Sequence, residues 1–245
     1  MRRVAVLGDV HGNAVALAAV LDELRREDVD LVVWTGDLSW GWAPAATLEL
    51  VRSLELPARY VRGNAERALL ELGDGKVEEP TEGERWMLDN HSSGDLEVAR
   101  SFQHSHSVDV DGLGATYFCH GSPRSDEELL TSATPDERVR AAAADIGERV
   151  LVSGHTHVQH DREVAGLRAV NPGSVGLPYE GRPGAYWALL GPGVELRRTE
   201  YDLDEAVARI RASGYPRAEQ IVEMLTDPPA PAEAIERAEK LEFSG

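Results

Sequence analysis

The sequence predicts a mixed α/β fold with a helical C-terminal tail. In the first third of the chain, apolar strand patterns alternate with helical patterns, as in βαβ units that build a parallel sheet. Strands dominate residues 159–201 and turn residues separate them, so we expect a second sheet made mostly of consecutive hairpins. The length of 245 residues and the hydrophobic content of 42% are enough for one domain with a substantial core.

Three strand patterns, each followed by a helical pattern, make up the first part of the chain. The strands are predicted at residues 2–8, 30–35 and 59–61, and the helices at 14–27, 44–54 and 66–72. Asn13 is a favourable N-cap for the first helix, and Pro44 stands where proline is favoured at a helix start.

The rest of the chain contains further strands and a run of short helices. One or two helices are predicted within residues 73–103, strands at 106–110, 114–119 and 149–152, and a helix that begins at 134–137. Tail helices are predicted at 203–213, 218–225 and 232–241. We therefore expect a main domain at residues 1–201 and a helical extension at 202–245, which could contact a second subunit in a homo-oligomer or cover a sheet edge.

Charge and composition exclude several classes of partner. The net charge of −18 disfavours duplex nucleic acid, which is bound through clustered Lys and Arg. No stretch approaches the roughly 20 apolar residues of a membrane span. Met1-Arg2-Arg3 leads directly into a strand pattern, and Cys119 is the sole cysteine, which we expect to be buried. These features predict a cytoplasmic protein that binds neither duplex nucleic acid nor membranes.

Five short polar motifs follow apolar runs. They are Asp9-Val10-His11, Gly36-Asp37, Gly63-Asn64, Cys119-His120-Gly121 and Gly154-His155-Thr156-His157. Ligands of open α/β sheets bind at the carboxyl ends of the strands, so we expect these side chains to meet there. Asp and His suit first-row divalent ions, and the motifs together predict two adjacent metal ions. The expected metal is Mn²⁺, with Fe²⁺, Zn²⁺ or Ni²⁺ as alternatives.

These motifs resemble those of the calcineurin-like metallophosphoesterases, whose pattern is D-x-H, G-D, G-N-H-[DE], a histidine and G-H-x-H. The resemblance runs from residue 4 to residue 157, and residues 171–175, Asn-Pro-Gly-Ser-Val, resemble the small bacterial phosphodiesterase-like or protein-phosphatase-like branch. It implies a four-layer αββα sandwich of two mixed sheets flanked by helices. It also implies that Asp37 bridges two ions, of which the first is bound by Asp9, His11 and His157, and the second by Asn64, His120 and His155.

The activity implied by the resemblance is hydrolysis of a phosphodiester, a phosphoanhydride or an activated phosphomonoester by a metal-bridging hydroxide. Asp37, Asn64 and His120 would be the catalytic residues, and Asn64 would also contact the substrate phosphate. Arg124 is a second candidate for substrate binding, because it follows His120 by four residues. The expected substrate is a small phosphorylated molecule, which could be a nucleotide. The alternative reaction is that of a phosphatase acting on phosphoproteins or nucleotide monoesters.

One position departs from the family pattern. Ala65 stands where the family usually has a histidine that assists the departing alkoxide. Three explanations are open: good leaving groups, replacement by another histidine, or a low-turnover metal- or nucleotide-binding protein or scaffold. The candidates for replacement are His104, His106 and His160, although a solvated strand face is the favoured explanation for each of them. Without a proton donor at this position, poor leaving groups should depart most slowly. We therefore expect diesters and anhydrides, ahead of alkyl monoesters, as substrates.

Several other side chains have structural explanations from the sequence. Glu66 suits the first turn of a helix, His91 a loop and Ser174 a tight turn. Trp34, Trp40 and Trp42 surround the second motif. We expect these tryptophans to pack over the rim of the sheet, with a nucleobase pocket as the alternative.

Overall fold

The computed structural model describes residues 1–241, so the last four residues of the predicted extension 202–245 lie outside the described part. The strands are β1 Val4–Leu7, β2 Leu31–Trp34, β3 Ala58–Tyr60, β4 Ser105–Val110, β5 Gly114–Cys119, β6 Val150–Ser153, β7 His160–Val164, β8 Leu167–Asn171, β9 Ala185–Leu190 and β10 Val194–Thr199. The helices are α1 Ala14–Leu24, α2 Pro44–Arg52, α3 Asn64–Gly73, α4 Glu82–Asp89, α5 Ser93–Ser101, α6 Asp136–Ala142, α7 Leu203–Ala212, α8 Ala218–Thr226 and α9 Pro231–Glu239.

The ten described strands form two five-stranded sheets, and both sheets are mixed. The first has the order β10-β9-β1-β2-β3, in which β1, β2 and β3 are parallel and β9 is antiparallel to β1. The second has the order β4-β5-β6-β8-β7, with β5, β6 and β8 parallel and an antiparallel strand at each edge. The carboxyl ends of β1, β2, β3, β5 and β6 carry the five predicted motifs.

The hairpins β4–β5 and β7–β8 supply four of the five strands of the second sheet. The prediction that the strands of residues 159–201 together build this sheet was wrong. The hairpin β7–β8 belongs to the second sheet, but the hairpin β9–β10 extends the first one. All six residues of β9 are buried, so this strand requires cover on both faces. Trp187 and Leu189 pack with α1 on the outer face of the first sheet, and Ala188 and Leu190 pack between the two sheets.

The core consists of apolar layers on both sides of each sheet. Side chains such as Val6, Phe118 and Val152 fill the space between the sheets. Helix α1 covers the outer face of the first sheet, where Leu17 and Leu21 join the same cluster as Trp34. On the outer face of the second sheet, Ala142 and Val139 of α6 pack near β5, β6, β7 and β8. The arrangement is the expected mixed α/β sandwich with helices on its outer faces.

The tail helices pack against the main body rather than extending from it. Ile210 and Val222 share a cluster with Trp42, Met87 and Leu177. The ring of Tyr215 meets that of Trp86 edge to face, with centroids 5.1 Å apart. Among residues 1–241, no helix is long and apolar enough to span a bilayer.

Candidate metal centre

The seven predicted ligands lie together at the carboxyl ends of strands from both sheets. Two groups of three donors have ligand atoms within 4.8 Å of one another, and the predicted Asn64 borders the second group through its contact with His120. The first group contains Asp9, His11 and His157, and the second contains Asp37, His120 and His155.

The first group joins the ends of β1 and β6. His11 Nε2 lies 3.1 Å from His157 Nε2, and His157 Nε2 lies 3.2 Å from Asp9 Oδ1. Asp9 is buried and also accepts the backbone N–H of His155 at 3.1 Å. The two rings and the carboxylate therefore converge on one point.

The second group joins β2, β3, β5 and β6. His120 Nε2 lies 3.1 Å from His155 Nδ1 and 2.8 Å from Asn64 Oδ1. The amide oxygen of Asn64 therefore points at the same place as the two rings. The structure thus places Asn64 beside the second group, and its role as a ligand stays a prediction.

Asp37 lies between the two groups. Its Oδ2 is 3.7 Å from His11 Nε2 in the first group, and its Oδ1 is 3.5 Å from His120 Nε2 in the second. The backbone N–H of Ala65 donates to Oδ1 at 2.9 Å and fixes the carboxylate. One carboxylate thus presents a different oxygen to each group.

Each of the four histidines has its other ring nitrogen on a backbone carbonyl. The pairs are His11 Nδ1 with Trp40 O at 3.3 Å, His120 Nδ1 with Thr35 O at 2.7 Å, His155 Nε2 with Glu127 O at 3.2 Å, and His157 Nδ1 with Leu177 O at 2.6 Å. A carbonyl only accepts, so the outer nitrogen carries the proton and the inner nitrogen keeps a lone pair. Metal-binding histidines are oriented in this way.

This donor set fits divalent cations. Neutral histidines oriented by these carbonyls point lone pairs at each other across 3.1 Å in both groups, and two acceptors cannot form a hydrogen bond. A cation between them would satisfy both lone pairs and the adjacent carboxylates. Imidazole, carboxylate and amide donors without thiolates match first-row divalent metals.

Burial and mutual charge set the protonation of these groups. Burial, together with the charge of His120, lowers the pKa of His155 to about 4. Burial also lowers the pKa of His11. Burial pushes the pKa of Asp9 up, but the neighbouring histidines, His157 first, bring it below its usual range. Burial opposes the charged form of His120, yet Asp37 and Asp9 raise its pKa.

Five candidate ligands have left-handed backbone conformations, which side chains other than glycine rarely adopt. These are Asp9 at φ 52°, His11 at 47°, Asp37 at 55°, His155 at 66° and His157 at 58°. Such residues cost of order 1–3 kcal/mol each and cluster at functional sites. Asp and His are among the residues that tolerate this conformation best, but their identity alone does not show that they adopt it here.

Glu66 is a residue whose role the sequence did not reveal. It is buried and accepts the backbone N–H groups of Asp37 at 2.9 Å, Leu38 at 2.8 Å and Gly63 at 2.8 Å. Burial and the charge of Asp37 raise the pKa of Glu66 to about 7, although the three donors oppose this shift. Glu66 is more than a first-turn carboxylate, because it ties the loop of Asp37 to the start of α3.

The remaining candidates lie outside the two groups. The guanidinium of Arg124 donates to the buried carboxylate of Glu128 at 2.8 and 2.6 Å, so its predicted contact with substrate stays a prediction. His104 is exposed, whereas His160 is buried and does not lie on a solvated strand face as expected. His106 Nε2 donates to the backbone carbonyl of Tyr60 at 3.1 Å.

Several predictions of structural roles are confirmed. Asn13 caps α1 by accepting the N–H of Ala16 at 3.1 Å. Cys119 is fully buried, and burial raises its pKa. The hydroxyl of Ser174 donates to Asp9 O and accepts the N–H of Leu177, both at 2.7 Å, which leaves it holding the backbone under the site. His91 lies between α4 and α5 as predicted, but it is buried there.

A cleft of about 450 Å³ opens beside the candidate metal centre. His11 and His155 line it on the side of the centre, and Trp40 and Trp42 contribute to its wall. Trp34 is fully buried in the core, so of the three tryptophans only Trp40 and Trp42 face this space.

The fold and these donors define a metallophosphoesterase-type centre, and comparison with known proteins agrees. Residues 2–190 match the calcineurin-like phosphoesterase superfamily domain, and the chain belongs to that superfamily. A crystal structure of a metallophosphoesterase from Sphaerobacter thermophilus is similar over 93% of this chain and 99% of its own, with a TM-score of 0.72 and 26% identity.

Two further relatives are archaeal. A hypothetical protein from Pyrococcus horikoshii shares the fold with a TM-score of 0.80 over 94% of this chain and 100% of its own, at 19% identity. An uncharacterized protein from Methanocaldococcus jannaschii is 24% identical over 234 residues, which cover 87% of this chain and 93% of that protein. These similarities extend beyond the superfamily domain into the tail.

Proposed function

We propose that the protein is a dinuclear metal-dependent hydrolase of phosphodiesters, phosphoanhydrides or activated phosphomonoesters. The observation that carries this proposal is the position of Asp37, whose two oxygens face His11 and His120 in different donor groups. One ion would be held by Asp9, His11 and His157. The other ion would be held by Asn64, His120 and His155, and Asp37 would contact both ions. Bound divalent ions, Mn²⁺ first, would activate water at neutral pH and neutralise charge on the phosphoryl group.

The chain's own residues contribute orientation and charge. The carbonyls behind the four histidines hold the rings in place. Asn64 has its amide oxygen 2.8 Å from His120 Nε2, which leaves its NH₂ group able to donate to an oxygen of the substrate. A preorganised donor of this kind stabilises developing negative charge.

The absence of a proton donor at Ala65 supports a preference for good leaving groups. Ala65 is buried at the start of α3, and its side chain is a methyl group that cannot protonate an alkoxide. Aryl phosphoesters and phosphoanhydrides should therefore react faster than alkyl phosphates. The same substitution supports a second candidate, a low-turnover metal- or nucleotide-binding protein on this fold.

The first prediction concerns Asp37→Asn. We expect wild-type protein with Mn²⁺ to hydrolyse bis(p-nitrophenyl) phosphate and p-nitrophenyl phosphate, and Asp37→Asn to lose at least about 100-fold in kcat/KM, because the charge shared by both donor groups is gone. Asp22→Asn is the matched control, since Asp22 is exposed on α1 and pairs with Arg25. Equal rates for Asp37→Asn and wild type would contradict the proposal.

Elemental analysis separates the enzyme from the binding protein. About two ions per chain with rapid hydrolysis support the enzyme. Two ions with a nucleotide that raises the melting temperature yet survives prolonged incubation support the binding protein. No uptake of manganese, iron or zinc would overturn both.

A further inference from the structure

The C-terminal helices form one wall of the cleft beside the candidate metal centre. The candidate ligands His11 and His155 also line this cleft. The volume of about 450 Å³ lies within the range of 300–1,000 Å³ that is typical of small-molecule sites. A group held by the tail would thus be a direct neighbour of a phosphate held at the centre.

The surface that the tail offers is partly apolar and aromatic. Tyr215, Ile221 and Met224 line the cleft from the segment at α8, and Trp42 and Leu129 line it from the main domain. Tyr215 is held in place by its edge-to-face contact with Trp86. Flat apolar groups are bound by surfaces of this composition.

Arg237 of α9 supplies a positive charge on the same wall. Within residues 1–241 its guanidinium forms no ion pair or hydrogen bond, and Glu233, one turn earlier on that wall, does not pair with it. Arg217, which also lines the cleft, donates to Gln220 at 2.8 Å.

Arg237 lines the same cleft as the candidate ligands His11 and His155, and so does Tyr179. The ring of Tyr179 packs on that of the candidate ligand His157, with centroids 4.8 Å apart. Arg237 therefore lies near enough to the centre to contact a second group of a molecule bound there.

We propose that α8 and α9 form the pocket for the organic part of the substrate, and that Arg237 binds a second anionic group on it. The substrate class is then a small phosphorylated molecule with a flat apolar group and a second negative charge, rather than a phosphoprotein. This proposal rests on the proposed hydrolase function, because the cleft is defined by its position beside the metal centre.

The test uses two substrates that differ by one phosphate. Thymidine 5′-(p-nitrophenyl phosphate) and its 3′-phosphorylated form release the same p-nitrophenolate. We expect the wild type to prefer the 3′-phosphorylated form, and Arg237→Gln to lose about 10-fold in kcat/KM on it but less than 2-fold on the other and on bis(p-nitrophenyl) phosphate. Arg209→Gln removes the same charge from α7, where Arg209 pairs with Glu205 at 2.5 Å, and should change neither. No preference in the wild type, or equal losses on all substrates, would overturn the proposal.

A binding measurement separates this proposal from the proposed function. Calorimetric titration of full-length Mn²⁺-loaded protein with thymidine 3′,5′-bisphosphate should give a Kd about 10-fold weaker for Arg237→Gln than for wild type or Arg209→Gln. If hydrolysis is absent but this difference remains, the pocket stands and the hydrolase function falls. If hydrolysis is present and the three proteins bind alike, the pocket falls.

Discussion

Glu66 determines how the loop that carries Asp37 is held against α3. Its carboxylate accepts three backbone N–H groups, and glutamine offers one oxygen and an NH₂ group that would face donors. We predict that Glu66→Gln weakens Mn²⁺ affinity by about 10- to 100-fold, as replacements behind metal ligands typically do. Calorimetric titration with Mn²⁺ measures this change. Glu71→Gln, one turn further along α3 and half-exposed, should bind Mn²⁺ like the wild type; equal affinity for Glu66→Gln would refute the role of Glu66.

Ala65 offers a test of the missing proton donor. We predict that Ala65→His increases kcat on alkyl phosphates toward the 10²- to 10⁴-fold contribution of general acid catalysis, and has a smaller effect on p-nitrophenyl esters, whose leaving group needs no proton. Ala65→Gln adds a side chain of comparable length without a titrating proton, and it controls for the added bulk at this buried position. An equal response of both variants, or none, would mean that proton transfer does not limit the reaction.

At this scale the sequence indicated the candidate ligands but not the residues that hold them in place. Asp9, Asp37 and His120 could be found because an ionisable residue after an apolar strand is visible in the sequence. The role of Glu66 could not, because its partners lie in the loop after β2, 28 and 29 residues away, as well as at Gly63. The left-handed backbone of the ligands arises from tertiary contacts, which no local pattern encodes.

At the scale of elements, local periodicity predicted the strands better than their partners. The parallel strands β1, β2 and β3 were predicted, because helices between them require crossover connections. The destination of the β9–β10 hairpin was not, because a hairpin defines its own register and leaves open which sheet it joins. The burial of β9 on both faces is a property of the assembled sandwich.

Strand β7 begins at a buried histidine that should make stability depend on pH. His160 Nδ1 has no hydrogen-bond partner within residues 1–241, and burial lowers the pKa of His160 to about 4. In the unfolded chain the imidazole of His160 binds a proton near pH 6.5, whereas the folded protein binds it only near pH 4. The free energy of unfolding is therefore highest above pH 6.5 and decreases as the pH falls toward 4. We predict that protonation of His160 lowers the free energy of unfolding of the wild type by about 1 to 3 kcal/mol between pH 6.5 and pH 4.

Denaturant unfolding at several pH values measures the effect of His160. His160→Gln, which cannot titrate, should lose less stability than the wild type between pH 6.5 and 4.5. The comparison at pH 8, where the imidazole is neutral in both states, gives the cost of the substitution itself. Parallel pH profiles for the two proteins would rule out a contribution from His160.

At the scale of the whole molecule, the candidate metal centre joins the two sheets. Asp9, His11 and Asp37 follow strands of the first sheet, and His120 and His155 follow strands of the second. The sequence predicted this meeting at one edge. The sequence did not predict where the tail packs. An amphipathic helix shows that one of its faces is covered, but it does not show which surface covers that face.

Because each donor group draws on both sheets, bound ions should hold the sandwich together. At a free Mn²⁺ concentration 100 times the Kd, one bound ion stabilises the fold by about 2.7 kcal/mol. For a domain of this size, that corresponds to an increase in Tm of about 5 to 10 °C. We predict such an increase for EDTA-treated protein on addition of Mn²⁺, measured by calorimetry, and a much smaller one for Asp37→Asn, whose carboxylate faces both groups. An unchanged Tm in wild-type protein that has taken up manganese would mean that the ions bind the folded and unfolded chains equally well, and it would contradict the prediction that they stabilise the folded sandwich.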